Sequence, residues 1–394
     1  MKPLNSLKIL DLTDGNPYAA SMFADYGAEV LKIESPCCGD SIRRRGATAE
    51  KKEGIYHSFY NRGKKSMTLD ITKPQGQEII KKLVQKFDML IVNKPESQMK
   101  VWGLGFEDLK RENPMLIYGV LTPYGESGPW KDMPDYDLLI NSRSGLQEKT
   151  GMPEKPTKFG FPLGYIYSSW HLSAGMMAAY LKAQETQEGM KVSVSVWHTL
   201  VSLDDTFAEG LLGMNELPRR IGNGFPTTNP TDTFKCKNGW FSLSIGSDAQ
   251  WISFAQCAGN KVWAEDPRYA HDPARSMENY FGDLDQQLRD YFATITIEEA
   301  DMICREAMVP GGPCNTFREL VNDEQVANRN MVVHVQDDVL GDVLQIGKAA
   351  KFSNGSEEDD VIASAPVLGA DTSAYLEQLG LLGEADKLKA EGII

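Results

Sequence analysis

Two clusters of cations stand out in a chain that is otherwise acidic: Arg43-Arg44-Arg45, and Arg62 with Lys64 and Lys65. The 394 residues hold 41 Lys and Arg against 55 Asp and Glu, a formal charge of −14, so each cluster stands against the prevailing field. Guanidinium and ammonium groups in loops beside strand ends are suited to holding anions, phosphate above all. The competing role is a solvated charged face. The same net charge opposes nucleic acid and anionic membrane surfaces as partners. Six cysteines, Cys37, Cys38, Cys236, Cys257, Cys304 and Cys314, contain no C-x-x-C spacing, which argues for reduced thiols and against a zinc site or other metal. The five histidines are scattered, and His171 and His198 sit in apolar contexts that predict packed, hydrogen-bonded rings rather than catalytic ones.

The elements that must position these groups read as α/β. Residues 7–12 alternate as a short strand, 17–26 have helical spacing, and 27–34 form a second strand, together a β-α-β unit. It lacks G-x-G-x-x-G, so a nicotinamide or flavin site is unsupported. Strands at 67–71, 88–92 and 116–121, with a helix at 76–87, extend a parallel sheet covered on both faces. A small-residue helix over 168–183 and a strand over 191–196 close a large Rossmann-like domain, residues 1–200. A Gly-, Pro-, Thr- and Asn-rich connector, 201–225, leads to a smaller α+β domain, 226–325. That domain opens with a hairpin turning at Asn238-Gly239, followed by helices at 249–258, 277–294 and 297–307. Residues 326–394 then return to pack on the large domain, with a last helix from Thr372. With 41% hydrophobic and 24% charged residues, no signal-like N-terminus and no run of ~18 apolar residues, the expected location is the cytoplasm.

A series of motifs gives these elements a family. Leu7-Lys8-Ile9-Leu10-Asp11-Leu12, the segment from Phe23 to Glu34, and Gly39-Asp40 followed by Arg43 resemble the N-terminal signature of family III CoA-transferases, the formyl-CoA and carnitine CoA-transferase group. The segment from Asn61 to Asp70, Trp102 to Phe106 with Asn113-Pro114, Tyr124 to Pro129 with Tyr136-Asp137, and Arg220 to Gly224 continue the resemblance in order. Phe234 to Gly239 and Gln250-Trp251 carry it into the smaller domain. The resemblance implies acyl-CoA and an organic acid as substrates, no permanently bound cofactor, and chains interlocked as a dimer. It also implies that Asn16 and Asn93 hold the adenine and pantetheine portions. Arg43 and Lys64 or Lys65 become expected contacts of the CoA phosphates. Gly222 and Gly224, in Gly222-Asn223-Gly224-Phe225-Pro226, match a loop that shields the reaction intermediate, stiffened here by Phe225 and Pro226.

One residue breaks the pattern. Leu163-Gly164-Tyr165 matches the family segment that carries the nucleophilic aspartate, and Tyr165 stands in the aspartate's place. The implied mechanism runs through a mixed anhydride and an enzyme-bound thioester, both energy-rich and reversible. A phenol of ordinary pKa near ~10 is mostly protonated and forms a less activated ester. The expectation is therefore a subunit whose carboxylate comes from a homologous partner chain, as in transferases of the benzylsuccinate type built from two unlike chains. The alternatives are a silent CoA-binding protein, or a self-paired transferase with another nucleophile such as Asp14, Glu126 or Asp137. Racemases of the same fold use a His and an Asp, matched here by Tyr136 and the Tyr165 region, and fit less well. Tyr167, Trp170, Met176 and Met177 form either an apolar pocket wall or a buried helix face.

Overall fold

The computed structural model describes residues 2–15, 18–46, 54–204, 220–225, 228–353 and 361–394. Two compact units result. One comprises Met1–Leu146, Phe159–Ala208 and Glu324–Ile394, the other Gln147–Lys158 and Glu209–Asp323.

The larger unit is built on six parallel strands: β1 (Lys8–Asp11), β2 (Glu29–Glu34), β3 (Lys65–Thr68), β4 (Met89–Val92), β5 (Ile117–Thr122) and β6 (Lys191–Ser195). Their order is β3-β2-β1-β4-β5-β6, every pairing parallel, which is the doubly wound Rossmann arrangement. Successive side chains on a strand point to opposite faces, and both faces are apolar. Ile9, Met89, Ile91 and Ile117 lie in one core cluster with Phe23 of helix α1 (Tyr18–Asp25). Leu10, Leu90, Val92 and Tyr118 lie in the other, with Ile80 and Leu83 of helix α2 (Pro74–Val84).

Three further helices shape the other end of the sheet: α3 (Asp137–Arg143), α4 (Leu163–Thr186) and α5 (Val196–Ser202). Helix α4 begins at Leu163, five residues before the expected start, directly after Pro162. Tyr165 therefore occupies a helical first turn and not a preceding loop. The inner face of α4 is lined by small residues, and Ser169 and Ser173 return hydrogen bonds to the carbonyls of Tyr165 and Ser169 at 2.7 and 2.8 Å. The C-terminal segment covers the edge strand β3. Asp371 accepts from the Ser66 amide at 2.9 Å, Thr372 accepts from the Thr68 amide at 3.0 Å, and the Asp70 amide donates to the Ile393 carbonyl.

The second unit holds an antiparallel hairpin, Thr231–Cys236 with Gly239–Ser244, extended by Gly311–Pro313. Cys236 pairs with Gly239, so the two-residue turn is Lys237-Asn238, one residue earlier than the sequence signal. Gly239 has a packing reason: a Cβ there would meet Ile297 Cδ1 at 2.5 Å. The expected helix over 277–294 is divided at Gly282 into Ala274–Phe281 and Leu284–Ala293. Ile297–Ala307 begins with a capping box formed by Thr296 and Glu299. Among the described residues no helix is long and apolar enough to cross a membrane.

Candidate functional site

The strand order reverses between β1 and β4, and an open α/β sheet offers its ligand crevice at such a point. The loops after β1, β2, β3 and β4 enclose a cavity of about 280 Å³, with Asp14, Ser41, Arg44, Thr72 and Lys94 in its wall. Asn93, immediately after β4, ties the first of these loops: it accepts from the Asp14 amide at 3.0 Å and donates to the Asp14 carbonyl at 2.7 Å. Asp14 in turn accepts from the Ser41 amide at 2.8 Å. Asn16, expected in the same loop, lies outside the described residues.

Behind the cavity wall lies an ionic network that periodicity alone did not reveal. Asp11 is fully buried, 2.9 Å from the Lys64 ammonium and 3.6 Å from that of Lys32. Lys32 pairs with Asp40 at 2.7 Å, and the other oxygen of Asp40 accepts from the Gly15 and Ile42 amides. Arg43 grips Glu34 with Nε and Nη2, at 2.7 and 2.8 Å, and donates to the Pro366 carbonyl. Burial would raise the carboxyl of Asp11, but the Lys32 and Lys64 ammoniums hold it below its usual range. Burial would lower Lys32, yet Asp11 and Asp40 keep it above its ordinary value. His57 abuts the network, buried and in contact with the Asn61 amide nitrogen and the Pro366 carbonyl. Burial first, and then the Arg43 charge, lowers its pKa to about 4.

The expected cations are placed as follows. Arg43 and Lys64 are engaged inside the protein by Glu34 and Asp11. Lys65 pairs at 3.4 Å with Glu29, the first residue of β2, toward the opposite end of the strands from the cavity. Arg62 likewise binds Asp25 and the Ile346 carbonyl. The cations that do line the cavity are Arg44 and Lys94. Burial pushes Lys94 down while the Asp14 charge opposes that, and among the described residues Lys94 makes no hydrogen bond or close ion pair. Its position directly after Asn93 and a buried strand was the signal that could have found it.

The second candidate region is the start of α4. A Cβ on Gly164 would meet Val196 at 2.9 Å and Leu200 at 3.1 Å, so the glycine permits close contact with α5. Tyr165, 8% exposed, turns its hydroxyl onto Asp135 and donates a hydrogen bond to Oδ2. Burial raises the phenol well above its ordinary value, and the bond to Asp135 raises it further, with charge on Asp137 and Tyr124 adding to the effect. Tyr124, after β5, has its hydroxyl buried without a hydrogen-bond partner among the described residues. Asp135 was not among the carboxylates selected from the sequence, and those selected have other engagements. Glu126 pairs with Lys191 at 3.1 Å, Asp137 accepts from Asn141 at the start of α3, and Asp14 is bound as above.

The remaining expectations divide. Met176 is fully buried against Gly119, a helix-face role, whereas Trp170 is half exposed. His171 and His198 are exposed, although the His171 ring packs edge-on against Tyr167 and lies 3.2 Å from the Tyr167 carbonyl; the enclosed histidine is His57. In the second unit, Gly222 adopts φ +66° and its amide donates to the Gly151 carbonyl at 3.0 Å, while Arg220 reaches the carbonyls of Glu148, Met152 and Pro153. Tyr280 donates to the Phe225 carbonyl at 2.6 Å, so the segment around Gly224 is tied within its own unit. Pro226 lies outside the described residues.

The model of CoA-transferase family III matches residues 4–372. The chain belongs to that family. Family III relatives include a succinyl-CoA–D-citramalate CoA-transferase from Chloroflexus aurantiacus, 28% identical over 346 residues, covering 87% of this chain and 86% of that one. A succinate–glutarate CoA-transferase from Agrobacterium fabrum is 29% identical over 347 residues, covering 85% of each. The crystal structure of a CAIB/BAIF family protein from Brucella suis superimposes with a TM-score of 0.85 at 27% identity, over 96% of this chain and 99% of that chain.

Proposed function

We propose that this family III chain takes part in moving CoA from an acyl-CoA, such as succinyl-CoA, to an organic acid. The observation that carries this reading is the cavity at the reversal of the sheet, with Arg44 and Lys94 in its wall. CoA brings a pyrophosphate and a 3′-phosphate, and a cation already desolvated by its surroundings gains most from such a partner. In this reading Arg44 and Lys94 meet the phosphates, Asn93 fixes the loop that also carries Asn16, and CoA is a substrate and not a resident cofactor.

The source of the nucleophilic carboxylate has two readings. The first, which follows from Tyr165 in the aspartate's place, is a homologous partner chain that carries the aspartate and interlocks with this one. The second is that this chain supplies its own, and the hydrogen bond from Tyr165 to Asp135 specifically favours it.

The test of the general reading is binding and isotope exchange. CoA should bind in calorimetry with loss of affinity in Lys94→Ala, and labelled succinate should enter succinyl-CoA with this chain alone or with a partner homologue. CoA binding without exchange in either mixture would instead identify a silent binding protein.

A further inference from the structure

We propose that Asp135 is the nucleophilic carboxylate of this chain, held for attack by the Tyr165 hydroxyl that occupies the usual aspartate's position. The proposal rests on the reading of the chain as a CoA-transferase and supplies the group that reading lacks.

Three features of one corner carry it. Tyr165 is fixed in the first turn of α4, and its hydroxyl donates to Oδ2 of Asp135, so the tip of the phenol bears a carboxylate. Oδ1 of Asp135 accepts no hydrogen bond and faces no close cation among the described residues, and the residue is exposed, so one oxygen is free to react. Beside this pair, the buried hydroxyl of Tyr124 has no partner among the described residues, although buried hydroxyls ordinarily find one. A carbonyl or carboxylate oxygen of a bound acyl group would satisfy it. All three residues stand at the end of the sheet where β5 runs into its loop, the same end as the cavity beside β1 and β4.

The chemistry balances without any further reagent. The free Asp135 oxygen attacks the thioester carbonyl, the C–S bond breaks, and CoA leaves as thiolate with an acyl–Asp135 anhydride left behind. The thiolate then attacks the Asp135 carbonyl of the anhydride, releasing the first acid as its carboxylate and forming an Asp135–CoA thioester. The acceptor carboxylate attacks that thioester, expels the thiolate and forms a second anhydride. Attack of the thiolate on the acceptor's carbonyl yields the new acyl-CoA and frees Asp135. Tyr165 transfers no proton in this cycle. As a phenol kept protonated by burial, it stays hydrogen-bonded to Asp135 and stabilises the oxyanion whenever thiolate or carboxylate adds to that carbonyl. Tyr165 is thus a positioning residue, and Asp135 the catalytic one.

The experiment incubates the full chain, alone, with succinyl-CoA and labelled succinate, then quenches with hydroxylamine and maps carboxylates by mass spectrometry. The expected result is exchange, with a hydroxamate on Asp135. Asp135→Asn should lose exchange by about a thousandfold or more while binding CoA as the wild type does in calorimetry. Tyr165→Phe should lower kcat by about tenfold to a hundredfold with KM for succinyl-CoA unchanged, and still label Asp135; a merely structural tyrosine would not split the two constants. A hydroxamate on another carboxylate, or exchange retained in Asp135→Asn, overturns the proposal and leaves the transferase reading standing. So does exchange that appears only on adding a homologous chain, with the label on that chain. Absence of exchange by the chain alone from succinyl-, acetyl- or benzoyl-CoA overturns the proposal as well. Absence of CoA binding overturns the transferase reading itself.

Discussion

The two ends of the candidate site are built on opposite principles. Behind the cavity, three carboxylates and three cations, Asp11, Glu34 and Asp40 with Lys32, Arg43 and Lys64, neutralise one another in the interior. At the start of α4, a buried hydroxyl has no partner among the described residues and a carboxylate is half satisfied. A balanced buried network specifies one arrangement of loops and resists change, because removing any member leaves an uncompensated charge. An incompletely satisfied corner can accept a ligand, and its residues can be replaced at small structural cost. In the proposed reading, the contrast explains how Tyr165 can stand at the nucleophile's position without disturbing the fold around it.

The largest effect that would break this contrast is expected at Asp11. Asp11→Asn leaves Lys32 and Lys64 without their shared counter-charge and should cost about 3–5 kcal/mol in urea denaturation. A loss under 1 kcal/mol would show the network to be dispensable.

The next expectation concerns pH. His57 binds a proton near 6.5 when unfolded and only near 4 when folded, so between those values the unfolded chain binds more protons. Stability should therefore be fully present above pH 6.5 and fall by about 3 kcal/mol as pH drops toward 4. The buried carboxylates, whose pKa values are lowered, add their own loss only below about pH 4. His57→Gln should flatten the upper window alone, and an unchanged slope in that variant would refute the assignment.

Smaller again, Gly164→Ala forces a methyl against Val196 and Leu200. Overpacking of about 1–3 kcal/mol, reduced by about 1 kcal/mol for the better helix propensity of alanine, should leave a loss of about 1 kcal/mol in thermal denaturation. A neutral variant would mean that α4 and α5 are free to separate. Smallest in its effect on stability, Lys94→Ala should weaken CoA binding about tenfold, or about 1.4 kcal/mol, with the unfolding midpoint unchanged. Weaker binding accompanied by a lower midpoint would point to a structural lysine.

Much of the frame was legible in the sequence. Strands such as Met89–Val92, apolar throughout and bounded by polar residues, announce a sheet buried on both sides, and the motif series named the family whose model matches residues 4–372. Which cations point where was not legible. Arg43 and Arg44 are consecutive in a short 3-10 turn, yet one faces Glu34 inside the protein and the other lines the cavity. Lys64 and Lys65 sit at the start of one strand and turn to different carboxylates, Asp11 and Glu29. Composition gives charge and not direction. Asp135 was hidden for another reason. It lies in a loop without periodicity, and only the folded chain brings it against a helix thirty residues later.

The strap formed by the C-terminal segment has a consequence in time. The strands β1 to β6 are complete once residue 195 has been synthesised, but the free edge of β3 receives Asp371, Thr372 and the Ile393 carbonyl only about two hundred residues later. Until then the sheet offers an unpaired, apolar-faced edge to any neighbouring strand. The second unit, inserted between the sheet and its own fastening, sets the length of that delay.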